Sequence, residues 1–368
     1  MKRFLNRSKN PIGRGGLRKK TEVNGFHGGK ESRKNMAVIM IGFKNAMGIP
    51  LLLTMTIGCA NQVHIDIIKS GVDTWNKWRK ENAGVKPNLR GARLAGVRLA
   101  GANFLRADLR GAVLDGADLA GADLFKADLR GAHLSRANLR EANLFRANLF
   151  RAVLRGAILD SALLMRANLS GVDLDSASLY KADFAGADLA GARLRGANFW
   201  RAFLAGALLD GVYLVGARLR GADLGGARLE GANLAKADLR EADFEDADLA
   251  GANFWRADLR GDTLWGADLA GARLTGANLA GATLDGADFA GAALDGVNLR
   301  GVNLRKVKSF YKAKLDRRIL SEIKVHWPEK LATIWDDAKK DWVIDDTLLE
   351  HVKKPDWHGW PGEHAQRK

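Results

Sequence analysis

A leucine or phenylalanine returns at every fifth position from Leu89 to Leu304, over 44 consecutive units without an insertion or deletion. An α-helix does not place such residues on one face, because each step of five turns by about 500° and drifts by roughly 140°. A flat strand fails as well, because an odd period sends alternate side chains to opposite faces. The chain must therefore change direction once in every unit.

Each unit reads as a short strand followed by a turn. Ala usually stands two residues before the Leu or Phe, and Gly is the commonest residue two positions after it. Residues two apart on a strand point the same way, so Ala and Leu point inward and the residue between them points outward. Gly suits the corner because it accepts backbone angles that other residues resist. A unit that repeats in this way predicts a solenoid with leucines along its centre.

A second period indicates how many units make one coil. An apolar residue followed by a cation recurs at every fourth unit, at Leu105-Arg106, Phe125-Lys126, Phe145-Arg146 and Met165-Arg166. Four units per coil bring these pairs onto one face. The block from 87 to 306 then forms about 11 coils, and its axis is roughly 50 Å long at ~4.8 Å between paired strands.

The unit A(D/N)LXX resembles the repeat of the pentapeptide-repeat proteins over residues 87–306. The resemblance implies an all-β solenoid, a right-handed four-sided β-helix. It implies little about activity, since most members of that family have no assigned biochemical role. Function has to be argued from the surface of the coils.

The segment 61–86 is expected to cap the first coil as an amphipathic helix. Its apolar residues fall at helical spacing, at Ile65, Ile68, Val72, Trp75 and Trp78. We expect Trp75 and Trp78 to pack over the first coil, and we favour this packing over a functional role for them.

A Trp-rich segment, 307–368, follows the repeats and contains five of the ten tryptophans. The five-residue register breaks after Leu304, and a helical pattern ends at Pro328. Further helices are predicted near 329–340 and 346–354. We therefore expect a mostly helical C-terminal cap.

The amino-terminal 60 residues divide into two segments. Residues 1–35 carry 11 Lys or Arg against two Glu, a composition that predicts disorder. Residues 36–60 contain an apolar run of about 13 residues that ends before Cys59, the only cysteine. The run is short for a membrane span and has the proportions of a signal-peptide core. It resembles a bacterial lipoprotein signal, which implies acylation of Cys59 and a tether to the envelope membrane. An uncleaved anchor and an ordinary buried segment of a cytoplasmic protein remain alternatives.

The net charge of +16 divides unevenly, into +12 for residues 1–86, +2 for 87–306 and +2 for 307–368. Some pentapeptide-repeat proteins resemble DNA in shape and negative charge and bind type II topoisomerases. Here the acidic surface is limited to one cluster, which comprises Asp238, Glu241, Asp243, Glu245, Asp246 and Asp248. A cytoplasmic DNA mimic is therefore an alternative only. The basic arm would attract phosphate without sequence preference, and we do not expect specific nucleic-acid binding.

No constellation typical of catalysis appears in the sequence. The seven histidines show no metal-ligand spacing, so we expect no metal, cofactor or catalytic residue. An enzyme or a ligand site in the Trp-rich segment is a further alternative. Asp262 is the one acid at an inward Ala position. Because an unpaired buried carboxylate is costly, we expect a local distortion that lets it reach solvent or backbone donors.

The outer surface is the remaining candidate for function. The aligned pairs from Leu105-Arg106 to Met165-Arg166 predict an apolar stripe beside a basic stripe, a candidate contact for a protein partner. The alternative is that the side chains of the stripe stack on one another and need no partner. A second apolar area is predicted at Ile158, Leu163, Phe203, Leu208 and Tyr213, and a homodimer could use either. The sequence thus favours a non-enzymatic binding or scaffold protein tethered to a membrane.

Overall fold

The computed structural model describes residues 60–336 and 341–354. The central residue of each unit pairs in parallel with the central residue of the fourth unit after it, from Asn88–Asp108 to Asn278–Asn298. The ladder is regular: Leu89 N–H donates to the Asp108 carbonyl at 2.8 Å, and Asp108 N–H donates to the Pro87 carbonyl at 2.8 Å. One coil therefore takes four units, as the period of the corner pairs predicts.

The core is one continuous column inside the coils. From Ala102 to Leu294 every inward position is buried. The larger phenylalanines meet in neighbouring positions, as at Phe184 and Phe199, whose ring centroids are 5.7 Å apart. Since each inward residue touches the coil before and the coil after, burial accumulates along the axis without any contact between distant parts of the sequence.

Each corner is a hydrogen-bonded turn. Ala92 N–H donates to the Leu89 carbonyl at 2.9 Å, and the second corner residue has a positive φ, such as 62° at Gly111. A type II turn requires this left-handed residue, which explains the frequency of Gly there. Among the described residues, sixteen other than Gly also take a positive φ, including Arg146 at 57°.

Two helices, α1 (Gln62–Lys69) and α2 (Val72–Glu81), lie over the first coil. The prediction of a single helix is wrong, because the chain turns at Gly71, where φ is 124°, and this turn divides the segment into two helices. Ile68 and Trp75 are fully buried against the coil, and Trp78 is partly buried.

Side chains of these helices hold the open edge of the first coil. His64 Nδ1 accepts from Asn88 N–H at 3.0 Å, and Asn76 Oδ1 accepts from Asn103 N–H at 2.8 Å. The Trp75 indole N–H donates to the Asn103 carbonyl at 2.8 Å. These bonds replace the pairing that a preceding coil would provide, so the edge is closed to strand addition here.

The register breaks at a bulge after the last regular unit. Lys308 N–H donates to the Ala287 carbonyl, and the Ser309 carbonyl accepts from Phe289 N–H, both at 2.9 Å, so two residues oppose Asp288. One inserted residue lengthens the coil by one position, and Lys314 still pairs with Ala293.

The chain beyond the bulge mixes helix and strand. The prediction of helix through 329–340 is wrong, since helix is confined to the start of that range and a strand follows directly. The elements are α3 (Arg317–His326), α4 (Glu329–Ala332), β1 (Thr333–Asp336), β2 (Asp341–Ile344) and α5 (Asp346–Lys353), with β1 and β2 antiparallel.

Candidate functional site

The outer surface consists of four faces and four corners, each a column that takes one position from every fourth unit. We name each column by its first member: the Asn88, Arg93, Arg98 and Asn103 faces carry the central residues of the units. The Leu105 corner, formed by 105–106 and the equivalent pair in each later coil, joins the Asn103 and Asn88 faces. The Ala100 corner, formed by 100–101 and its equivalents, joins the Arg98 and Asn103 faces. Any residue can be assigned to a column from its number alone.

The structure aligns the predicted stripe along the Leu105 corner. Phe125 and Phe145 stack with ring centroids 5.7 Å apart and an interplanar angle of 11°. Lys126 Nζ lies 5.1 Å from the centroid of Phe125, and Arg146 Cζ lies 5.4 Å from that of Phe145. The four apolar side chains are half-buried, whereas the four cations are exposed. The rings are thus covered partly by each other and by their own cations, and the corner presents mainly positive charge.

The second predicted apolar area is not one area. Its members fall on all four faces: Ile158 on the Arg98 face, Leu163 and Phe203 on the Asn103 face, Leu208 on the Asn88 face and Tyr213 on the Arg93 face. Grouping them by closeness in sequence was wrong, because one unit along the chain moves a side chain to the next face.

A different group of apolar residues comes together on the Asn103 face and the Ala100 corner. Tyr180 and Trp200 lie one coil apart on this corner, with ring centroids 5.3 Å apart. On the face, Phe203 adjoins Trp200, and Leu163 lies two coils before Phe203 with Asp183 between them. The exposed fractions are 41% for Leu163, 45% for Trp200 and 50% for Phe203. We call Leu163, Tyr180, Trp200 and Phe203 the aromatic surface. Sequence reasoning missed Tyr180 and Trp200, although their spacing of four units marks them as neighbours.

Cations border this aromatic surface. Lys181 Nζ lies 5.3 Å from the ring centroid of Tyr180, and Arg201 Cζ lies 5.6 Å from that of Trp200. Such contacts contribute about 0.5–1 kcal/mol each at exposed sites and hold long side chains in place. The surface therefore combines exposed rings with positive charge at its border and one acid, Asp183, between Leu163 and Phe203.

The predicted acidic cluster divides into two parts. Asp238 and Glu241 are ion-paired, with Arg240 at 2.7 Å and Arg220 at 2.8 Å respectively. Hydrogen bonds from Arg240 lower the pKa of the Asp238 carboxyl. The other four acids, Asp243, Glu245, Asp246 and Asp248, lie on the Leu105 corner and its two flanking faces. The acids without an ion pair in the described part of the chain therefore form one short edge at the Leu105 corner and not a continuous acidic face.

Asp262 lies wholly inside the core. Its Oδ1 accepts from Ala242 N–H at 3.1 Å, and its Oδ2 has no hydrogen-bond partner among the described residues. The expected contact with a backbone donor is confirmed at Ala242 N–H, whereas the expected distortion is wrong, since the bridges Asp243–Thr263 and Thr263–Thr283 continue on either side. The carboxyl does not reach solvent. Burial raises the pKa of Asp262 well above its usual value, which favours the neutral form of the carboxyl.

Within residues 60–336 and 341–354, no three His, Cys, Asp or Glu side chains are arranged to hold a metal ion. In that same part of the chain, no helix has the length and apolar character needed to cross a bilayer. Cys59, the segments 1–35 and 36–59, and residues 355–368 lie outside the described residues. An open groove between α1 and the first coils has a neutral and basic lining without a carboxylate, made of Ala60, Gln62, Ile65, Arg90, Gly91, Arg110 and Gly111.

A column of parallel bridges that joins every fourth unit around an Ala and Leu core defines a β-solenoid repeat protein. The profile "Pentapeptide repeats" matches in eight copies between residues 88 and 305, more than half of the chain. The chain therefore belongs to the pentapeptide-repeat family, whose fold is the right-handed four-sided β-helix. No curated protein matches it.

Solved structures similar to this chain are pentapeptide-repeat proteins as well. HetL of the cyanobacterium Nostoc, involved in heterocyst differentiation regulation, is 34% identical, with 63% of this chain and 95% of HetL covered and a TM-score of 0.35. A protein of the Arabidopsis thaliana thylakoid lumen is 30% identical over 37% of this chain and 89% of its own, with a TM-score of 0.30. QnrB1, a plasmid-mediated fluoroquinolone resistance protein, is 22% identical over 61% of this chain and 94% of its own, with a TM-score of 0.20.

Proposed function

We propose that this protein is a non-enzymatic scaffold that binds a protein partner through the aromatic surface. The observation that carries the proposal is the exposure of Trp200 and Phe203 side by side on a rigid wall, at 45% and 50%. Isolated exposed apolar residues need no explanation, but a contiguous aromatic group bordered by charge is typical of interaction sites.

The chemistry of the aromatic surface suits a protein ligand. Trp, Tyr and Arg are the residue types that contribute most to protein interfaces, and here Trp200, Tyr180 and Arg201 adjoin. Because the wall is a continuous hydrogen-bonded ladder, binding to it orders few groups on this side. The partner is expected to present an apolar patch with acidic residues at its rim, which would meet Lys181 and Arg201.

A photo-crosslinking amino acid at position 203 tests the proposal, with the same substitution at Tyr213 as the matched control. Tyr213 is equally exposed, at 52%, but lies on the opposite Arg93 face. We expect one dominant adduct from position 203 in cells, none from 213, and loss of the adduct in Trp200→Ala. Equal labelling from both positions would contradict the proposal.

We further propose that the scaffold is tethered to a membrane through acylated Cys59. The apolar run before a sole cysteine supports this, together with the basic residues that precede it. Intact-mass measurement of the membrane fraction tests the tether, and diacylglycerol on Cys59 is the expected result. A full-length unmodified chain in the soluble fraction of both wild type and Cys59→Ser would refute it.

The DNA-mimic alternative is weaker on electrostatic grounds. It needs a continuous acidic face, whereas Asp238 and Glu241 are ion-paired and the repeat block has a net charge of +2. Nothing on the described part of the Trp-rich segment favours an enzyme or ligand site there.

A further inference from the structure

We propose that a second copy of this chain binds antiparallel along the Leu105 corner, about a two-fold axis that passes between Gly186 and Gly206. Charge complementarity along this edge identifies the occupant. The inference does not depend on the aromatic surface, and its test is separate.

The two halves of the repeat block carry opposite charge. Residues 87–206 contain 17 Lys or Arg and 11 Asp or Glu, a formal net charge of +6, whereas residues 207–306 contain 11 and 15, a formal net charge of −4 that includes the buried Asp262. Two copies side by side in opposite directions place positive coils against negative coils. The parallel arrangement places like charge against like.

The same polarity is concentrated on the Leu105 corner. Its early coils present the exposed cations Arg106, Lys126, Arg146 and Arg166. Its later coils present Glu245 and Asp246, flanked by Asp243 and Asp248, and none of these four acids has an ion pair within the described part of the chain. The edge is therefore positive at one end and holds uncompensated negative charge at the other.

An axis between Gly186 and Gly206 sets a definite register in which facing corner positions add to 392. Arg146 then faces Asp246 of the second copy. Lys126 faces the Trp265-Gly266 corner, where Trp265 is 51% exposed. Of the eight aromatic residues at the first position of a corner, Trp265 is the one not followed by Lys or Arg. The second copy would supply the cation that the other seven rings receive from their own chain.

The middle of the edge permits close approach. Ala185-Gly186, Ala205-Gly206 and Gly225-Gly226 follow one another near the axis, with no side chain beyond Cβ. In the same register the bulky Met165-Arg166 pair faces Gly225-Gly226, where there is room for it. Large residues thus meet small ones, and small ones meet each other at the axis.

The contact is a narrow edge. Nine steps of ~4.8 Å between the coils of Leu105 and Asp285 give it a length of about 43 Å. Because the two flanking faces turn away from a convex corner, the buried area stays below the ~800 Å² per partner of a standard interface, as in a weak dimer. Because the arrangement is isologous, each contact occurs twice.

Sedimentation velocity of the full chain tests the proposal by charge exchange. Arg146→Glu and Asp246→Arg should each raise the dimer dissociation constant at least tenfold at low salt. An equimolar mixture of the two single variants should regain dimer, since one copy of the contact then joins Glu to Arg and the other joins Arg to Asp. High salt should weaken the wild-type dimer, because exposed charges are screened.

Arg151→Glu is the matched control, because Phe150-Arg151 has the same chemistry on the next corner, with Arg151 Cζ 5.0 Å from the Phe150 centroid. It should leave the dissociation constant within twofold of wild type, and all variants should keep the wild-type circular dichroism. A wild type that stays monomeric over the whole concentration range of the sedimentation experiment, an equal effect of Arg151→Glu, or a mixture that stays monomeric would overturn the proposal.

Discussion

Asp262 places a buried carboxyl in a column otherwise built of Ala, Val, Leu and Phe, so its replacement by Ala should stabilise the protein. Ala is the residue that the unit ordinarily carries at this inward position. The substitution keeps the backbone bridges of Asp243–Thr263 and Thr263–Thr283 and removes only the carboxyl.

Two physical effects set the magnitude of the gain. Oδ2 is buried without a partner among the described residues, and an unsatisfied buried polar group costs about 1–3 kcal/mol. The second effect depends on pH, because burial raises the pKa of Asp262 and the folded state keeps a proton that the unfolded state releases. Stability is therefore lost as pH rises above the unfolded pKa of about 3.9, by up to ~1.4 kcal/mol per pH unit.

Urea unfolding of wild type, Asp262→Ala and Asp262→Asn at pH 4.5, 6 and 7.5 separates the two effects. The stabilisation by Asp262→Ala should exceed about 1 kcal/mol at pH 4.5 and grow toward pH 7.5. Asp262→Asn should remove the pH-dependent part alone, because its amide is buried but does not titrate. Equal midpoints for wild type and Asp262→Ala, or a difference that is constant across this range, would show that the carboxyl is not held neutral in the core.

Three further predictions concern the edge, a corner and the core. Burial lowers the pKa of His64, so the unfolded state binds a proton at a higher pH than the folded state does. The free energy of unfolding should therefore fall as pH drops below about 6.5, as measured by Trp fluorescence. His64→Gln should lose less stability over the same pH range. Gly211→Ala should lower the free energy of unfolding by about 1 kcal/mol in a thermal melt, because φ is 62° at this corner. The cost is one of backbone strain alone, since no atom lies within 4 Å of a Cβ added there, and Gly211→Asn should cost less. Leu204→Ala should lower the free energy of unfolding by about 2–5 kcal/mol in urea, because it leaves a cavity in the core. Tyr213→Ala, at an exposed position, should lower it by less than about 0.5 kcal/mol.

The regular part of the fold could be predicted from the sequence because one local rule repeats. Ala and Leu two apart, a corner with a left-handed residue and a second period of four units together determine the coil. The same arithmetic assigns every outward residue to a column. The aromatic surface was missed only because Tyr180 and Trp200 were not placed in that scheme.

The ends could not be predicted in the same way, because they depend on single events. Gly71 breaks the expected helix by adopting a φ of 124°, and one extra residue at Lys308–Ser309 shifts the ladder. His64 caps the first coil by accepting one hydrogen bond from the backbone N–H of Asn88. No pattern in the sequence predicts this contact. Asp262 departed from expectation only in leaving the coil undistorted, since its carboxyl lies in the core and accepts one backbone N–H.

The corners connect the fold to its surface chemistry in physical terms. A left-handed backbone costs a residue other than Gly about 1–2 kcal/mol, so Gly is the least strained choice at the second position of every corner. Arg146 and Arg201 recover part of that cost through the rings beside them. Arg106 and Arg166 follow Leu and Met and have no such ring before them, although their φ is also 56°. Arg136, Ser161 and Ser176 also take a positive φ without a ring before them, and they lie on other corners. The hydrogen-bonded coil therefore holds this conformation without a partner, and the strain at Arg106 and Arg166 is not itself evidence for one.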